Sequence, residues 1–267
     1  MIHLFGDSFV YADDANELGL KDYTRWYDII ETQCNENTTN YGRNGDGCIS
    51  TMELFTSLYE RKWFEENDKI VVVLSSPYRI PWDWDLKVDG TLGDPSSWYD
   101  MWSERKRKYD LEDKYKFSMN SLYDCMSEEL ARLNLKNICL LKHITDITNI
   151  SICVFTVFNK TQSNTEKQYD ESVYDLNKLN SSKFYLHPTP LYEISEKEWE
   201  HKEEYNAGLI NHLSESNHQI LANIITNHFI GTSYDETFHT SFITGRKNKD
   251  AQYATVKNNR FCEFLYE

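Results

Sequence analysis

The chain has 267 residues, with 28 Lys and Arg against 43 Asp and Glu, a formal charge of −15. That acidic excess argues against nucleic acid or an anionic membrane surface as partner, because both are bound through a basic face. With 40% hydrophobic and 27% charged residues the composition is that of a soluble globular protein, long enough for a substantial core. Aromatic residues reach 14%, including 18 Tyr and 7 Trp, more than a core needs, which points to aromatic surface that is exposed or lines a groove. No run approaches about 18 consecutive apolar residues, so no transmembrane segment is expected. Met1 leads straight into Ile2-His3-Leu4-Phe5 with neither a basic leader nor a cleavage site, so a cytoplasmic location is expected. The six cysteines form no Cys-x-x-Cys pair and are expected to be reduced.

Ile2–Phe5 reads as a short strand that stops at Gly6-Asp7-Ser8. Trp26, Tyr27, Ile29 and Ile30 give residues 23–34 a helical spacing. Thr38–Tyr41 reads as a strand ending in the glycine-rich Gly42-Arg43-Asn44-Gly45-Asp46-Gly47, and a helix is expected over about 49–65. Lys69-Ile70-Val71-Val72-Val73-Leu74-Ser75-Ser76 is the clearest strand, its uninterrupted apolar run suiting a parallel strand buried on both faces. Residues 81–116 form a Trp-rich insertion, read as a lid or groove wall, with Gly90, Gly93 and Pro95 as breakers. Helical patterns follow over about 117–133 and 136–147, then Ser151–Phe158 reads as the fourth core strand. A polar stretch over 159–183 is expected at the surface, and the last helix over 218–228 shows the stripe Ile220, Leu221, Ile224 and Ile225. The tail over 230–267 has no clear pattern. Strands alternating with helices predict an α/β fold with a mainly parallel sheet, and no linker divides the chain, so residues 1–267 are read as one domain.

Three short segments carry the chemistry. Gly6-Asp7-Ser8-Phe9 follows the first strand, where an open α/β sheet presents its ligand crevice and a serine can offer its hydroxyl to a substrate. Asn40–Gly47 ends the second strand at the same edge, where a glycine amide can meet a developing negative charge. Asn211-His212-Leu213-Ser214-Glu215 precedes the last helix, and a histidine there can serve a serine as general base.

Together these blocks resemble the SGNH (GDSL-type) hydrolase family from Ile2 to about Ile225, in a style similar to SGNH-like proteins encoded by bacteriophages. The resemblance implies a three-layer, flavodoxin-like sandwich, Ser8 as nucleophile, Gly45 as the oxyanion-hole glycine beside the Ser8 amide, and His212 as base. It implies a cytoplasmic setting within a host cell if the chain is phage-encoded. Two positions depart from the family pattern. Where the third block usually has Gly-x-Asn-Asp, this chain has Ser75-Ser76-Pro77-Tyr78, leaving Ser75 or Ser76 as substitute hydroxyl donors and Arg79 as a source of charge. Losing one oxyanion donor typically costs about 3 kcal/mol of transition-state stabilisation. The acid expected two or three residues before the base is replaced by Ile210 and Leu209, so the reading is a Ser8–His212 dyad, with Asp7 and Asn211 as supporting groups.

Several alternatives are weighed beside this reading. Glu215-x-x-His218 makes His218 an alternative base, though opening the last helix is its plainer role. Asp7 can equally cap its own turn, His3 is read as structural, and His187-Pro188-Thr189-Pro190 as a loop. Trp82 and Trp84, with Trp98 and Trp102, either line a substrate groove or form a small core of their own. No metal or cofactor is expected, since Asp13-Asp14 and the Asp83, Asp85 pair lack the continuation of a calcium loop. The expected activity is hydrolysis of a short acyl ester, O-acetyl included, on a small molecule or glycan. The competing reading is a catalytically silent scaffold of the same fold that binds a glycan or a protein partner.

Overall fold

The computed structural model describes residues 1–11, 24–43, 46–75, 132–157, 176–198, 213–231 and 242–244. The insertion over 81–116 and nearly all of the tail over 230–267 therefore lie outside the described residues. Five strands, β1 (Ile2–Phe5), β2 (Thr38–Asn40), β3 (Lys69–Leu74), β4 (Ser151–Thr156) and β5 (Phe184–Leu186), form one all-parallel sheet in the order β2-β1-β3-β4-β5. Ile2 lies opposite both Thr38 and Lys69, and the β3–β4 register runs from Lys69–Ser151 to Leu74–Thr156. The chain lays β2 on one side of β1 and then returns to lay β3 on the other. The strand order thus reverses at β1, which opens a crevice at the carboxyl ends of β1 and β3.

Side-chain alternation sorts the core into two faces. Ile70, Val72 and Leu74 of β3 join Phe5, Ile152 and Val154 under α2 (Cys48–Glu60) and α3 (residues 132–147). Val71 and Val73 join Leu4, Cys153 and Phe155 under α1 (Trp26–Cys34), α4 (Leu191–Glu198) and α5 (Glu215–Phe229). Helices therefore flank the sheet on both faces. Fully buried Phe5, Phe55 and Phe155 each contribute about 2–3 kcal/mol of apolar burial. No helix among the described residues is long and apolar enough to cross a membrane.

Four features differ from the sequence expectation. Helix α3 runs unbroken through 134–135, where two separate helices were expected to meet. Its Asn134 is buried and donates from Nδ2 to the Ser75 carbonyl at 3.2 Å, so this asparagine makes a tertiary contact and not a helix end. The last helix starts at Glu215, three residues early, because Ser214 caps it by accepting the Asn217 amide at 3.4 Å. Strand β5 and helix α4 were not foreseen; the first is three residues long and the second is largely polar.

Candidate active site

Strand β1 delivers the chain to the crevice, and Gly6 lets it pass close to β3. A Cβ at Gly6 would lie 2.6 Å from Val10 Cγ2 and 2.8 Å from Val73 Cβ. The Asp7 carbonyl then accepts the amides of Val10 and Tyr11, both at 2.9 Å, and Asp7 Oδ1 accepts the Phe9 amide at 3.1 Å. Asp7 is thus the cap of a short turn, the plainer of the two roles considered for it. Ser8 is the first residue of that turn and only half-buried, whereas Asp7 is fully buried. The first amide of such a turn lies at its positive end, where an oxyanion is favoured.

Asp7 Oδ2 accepts the hydroxyl of Ser75 at 2.6 Å, tying the loop after β1 to the residue after β3. Ser75 is fully buried. A hydroxyl has one proton, and this one is committed to Asp7. The substitute oxyanion donor expected at Ser75 is therefore spent within the protein, on a carboxylate 68 residues away.

The second block docks on the first. Asn40 donates from Nδ2 to the Val10 carbonyl at 2.7 Å and accepts the Gly42 amide at 2.8 Å, while the Arg43 amide bonds the Gly6 carbonyl at 3.0 Å. Gly42 sits so close that a Cβ would meet Tyr11 N and the Val10 carbonyl carbon at 2.8 Å. Asn40 was not singled out in the sequence, although it stands inside the block that drew attention.

Trp26, at the start of α1, links the third block to the first. Its indole donates to the Phe9 carbonyl at 2.9 Å and its amide donates to His218 Nδ1 at 3.1 Å. The opening of α5 is thereby tied to the turn that carries Ser8. His218 itself is fully buried in the first turn of α5. Because a main-chain N–H can only donate, Nδ1 must hold a lone pair, and the proton of the neutral ring sits on Nε2. Such a tautomer has no lone pair left for proton abstraction, so His218 serves as a structural acceptor.

The remaining histidines read from the sequence sit elsewhere. His3 bonds Asp68 Oδ2 at 3.0 Å, just before β3 begins. His187 follows β5, fully buried against Phe155 and Phe242, with Nδ1 2.8 Å from the Tyr185 hydroxyl. The largely polar helix α4 begins four residues later. Burial pushes the Cys48 thiol up to about 12 and that of Cys153 well above its ordinary value, so neither is a thiolate nucleophile near neutral pH. The cysteines among the described residues are free, and no three metal-ligating groups among those residues come together.

One carboxylate at this end went unnoticed in the sequence. Glu198, the last residue of α4, is fully buried, and its Oε2 accepts the Ser214 amide at 3.1 Å where α5 begins. A run reading Glu193-Ile194-Ser195-Glu196-Lys197-Glu198 signals a solvated helix face, so nothing local marks its final residue as buried.

Of the residues read as site components, Ser8, Asp7, Ser75 and His218 are described and gather at or near the carboxyl edge of β1 and β3. Gly45, Ser76, Arg79, Trp82, Trp84, Asn211 and His212 lie outside the described residues. No protein-family model, curated protein or solved structure matches the chain.

Proposed function

We propose that the protein is a serine esterase of SGNH type that hydrolyses a short acyl ester, O-acetyl included, carried on a small molecule or glycan. The observation that carries this reading is the placement of Ser8. It is half-buried on a capped turn at the point where strand order reverses, with the second block docked beside it and the opening of α5 tied to it through Trp26. The strand order 2-1-3-4-5 is that of flavodoxin-like doubly wound sheets and agrees with the fold the resemblance implies.

In this mechanism Ser8 Oγ attacks the acyl carbonyl carbon while its proton passes to His212. The amides of Ser8 and Gly45 hold the resulting oxyanion. His212 returns the proton to the leaving alcohol oxygen as the ester C–O bond breaks. Water, deprotonated by His212, then attacks the acyl carbon; as the acyl–Oγ bond breaks His212 returns that proton to Ser8 Oγ, and the carboxylic acid departs. His212 is separated from the N-cap of α5 only by Leu213. The tautomer of His218 leaves His212 as the better base of the two. Indole side chains such as those of Trp82 and Trp84 would suit the faces of sugar rings.

Hydrolysis of p-nitrophenyl acetate by wild type, Ser8→Ala and His212→Ala tests the reading. Each substitution is expected to lower the rate by about a thousand-fold or more. The second reading, a silent scaffold binding a glycan or a protein, is favoured by the commitment of the Ser75 hydroxyl to Asp7, which removes one expected oxyanion donor. Equal background rates in all three proteins would establish it over the first.

A further inference from the structure

The apolar layer beneath α3 ends in polar groups. Ile70, Val72 and Leu74 of β3 and Ile152 and Val154 of β4 pack there with Ile138, Leu141 and Ile144 of α3. At the carboxyl end of that layer stand Asn134, Asn137 and Thr156, which are 5%, 8% and 1% exposed. We infer that these three residues form a polar subsite that binds hydroxyl groups on the alcohol half of the substrate, so that the ester is carried on a hydroxyl-rich molecule. The inference rests on the hydrolase reading above and names the substrate class for it.

Register and helical spacing bring the three together. Side chains alternate along β4, so Thr156 lies on the same face as Ile152 and Val154. Thr156 pairs with Leu74, the last residue of β3. Asn134 donates from Nδ2 to the carbonyl of the next residue, Ser75, at 3.2 Å. Asn134 and Asn137 are three positions apart in α3 and, with Ile138 and Leu141, occupy its buried face. Ser75 also ties this group to the crevice, because its hydroxyl donates to Asp7, the cap of the turn that bears Ser8.

Asn134 Oδ1, Asn137 Nδ2 and Thr156 Oγ1 are buried and have no hydrogen-bond partner among the described residues. Buried polar groups are nearly always paired, so three bare ones at one place call for a partner from outside the chain. The amide oxygen only accepts, the amide nitrogen only donates and the threonine hydroxyl does both. A hydroxyl, which donates and accepts, answers all three. None of the three side chains carries charge, and Arg132 and Lys136 of α3 are exposed. Buried Asp7, one residue-to-residue bond away through Ser75, would repel an anion. Neutral hydroxyls therefore fit where a carboxylate or phosphate does not.

A buried water would satisfy the same atoms and make the three residues purely structural. Ethyl acetate and glyceryl monoacetate separate the two roles, because they share the acyl group and only the second carries free hydroxyls. We would measure kcat/KM on both esters, with melting temperatures, for wild type, Thr156→Val, Thr156→Ser, Asn137→Leu and Ser8→Ala. Wild type is expected to prefer glyceryl monoacetate. Thr156→Val and Asn137→Leu should each lower that preference about ten-fold, and Thr156→Ser should keep it. Melting temperatures should hold or rise, since neither lost atom has a partner within the protein. If Asn137→Leu does not fold, the nearly isosteric Thr156→Val carries the test. An unchanged preference in Thr156→Val, whatever its melting temperature, overturns the inference, and loss of activity in Ser8→Ala then leaves the hydrolase reading standing. Saturation-transfer NMR of glyceryl monoacetate on Ser8→Ala reads the subsite without turnover. Transfer to the glycerol protons that disappears on adding Thr156→Val supports the subsite, even where activity unaffected by Ser8→Ala removes the hydrolase reading. No transfer, or equal transfer with and without Thr156→Val, overturns it.

Discussion

At the amino edge of the sheet Asp68 is held by charge, whereas at the carboxyl edge Asp7 is held by a hydroxyl and by its own turn. Asp68 accepts from His3 at 3.0 Å, from the Met1 ammonium at 3.1 Å and from the Glu65 amide at 2.8 Å. Burial alone would raise its carboxyl, but the Glu65 amide, the ammonium and His3 together hold it below its ordinary value. Asp7 takes the Ser75 hydroxyl and the Phe9 amide, and its carbonyl organises the turn around Ser8. The first arrangement fastens β1 to the approach to β3 and leaves nothing for a ligand. The second spends a buried carboxylate on shaping one loop, and the residue that loop presents, Ser8, is only half-buried. A buried aspartate is thus not by itself chemistry; what matters is which neighbour it holds in place.

Tight packing at the carboxyl edge offers the first way to break this contrast. Gly42→Ala would drive a Cβ to within 2.8 Å of the main chain at Val10 and Tyr11, which cannot swing aside as a side chain can. A loss of about 3 kcal/mol in chemical denaturation is expected, together with reduced esterase rate, because the strained partner is the turn that bears Ser8.

The amino-edge side of the contrast shows itself in pH dependence. His228, in the last turn of α5, has Nε2 buried without a hydrogen-bond partner. Burial lowers it from the ordinary 6.5 to about 4, against a hydrogen bond to the Lys183 main chain. Between those values the unfolded chain binds a proton that the folded chain refuses, so stability falls as the pH drops from about 6.5 towards 4. The shift corresponds to about 3 kcal/mol, and His228→Phe should flatten thermal unfolding across that window. Asp68 acts lower: its contribution is intact above the ordinary value of 3.8 and is lost as pH falls through its depressed folded value. Asp68→Asn should therefore lower stability by a constant amount above about pH 3.8 and flatten only the most acidic part of the curve. A slope between 4 and 6.5 that persists in His228→Phe would assign it to another group.

A smaller effect separates positioning from donation at Ser75. Ser75→Ala removes a hydroxyl bonded to a buried carboxylate and should cost about 2 kcal/mol of stability, with Ser8 reactivity lowered through the loosened turn. Ser75→Cys, with a weaker donor, should fall between alanine and wild type in both measurements.

Much of this architecture is legible in the sequence, and the failures have physical causes. Strands β3 and β4 announce themselves because six successive residues must be compatible with burial on both faces. The glycine-rich turn after β2 is legible because a close approach of two main chains leaves room for no side chain at Gly42. The edge strand β5 is too short to display a period, and it follows a polar stretch. The direction of the Ser75 hydroxyl was beyond reach, since it is chosen by Asp7 at the end of the neighbouring strand. Likewise Glu198 reads as a surface residue of a polar helix, and only the arrival of the Ser214 amide makes it an interior one. Sequence pattern reports what an element needs locally; polar partners brought together by topology leave no local trace.

The most direct test of the central claim, that Ser8 is the nucleophile of the crevice between β1 and β3, is the site of covalent modification by a fluorophosphonate probe read by peptide mass spectrometry. The account predicts a single adduct on the peptide bearing Ser8, absent from Ser8→Ala and strongly slowed in His212→Ala. Labelling of undiminished rate in Ser8→Ala, or an adduct mapped to another residue of the wild-type protein, would contradict it.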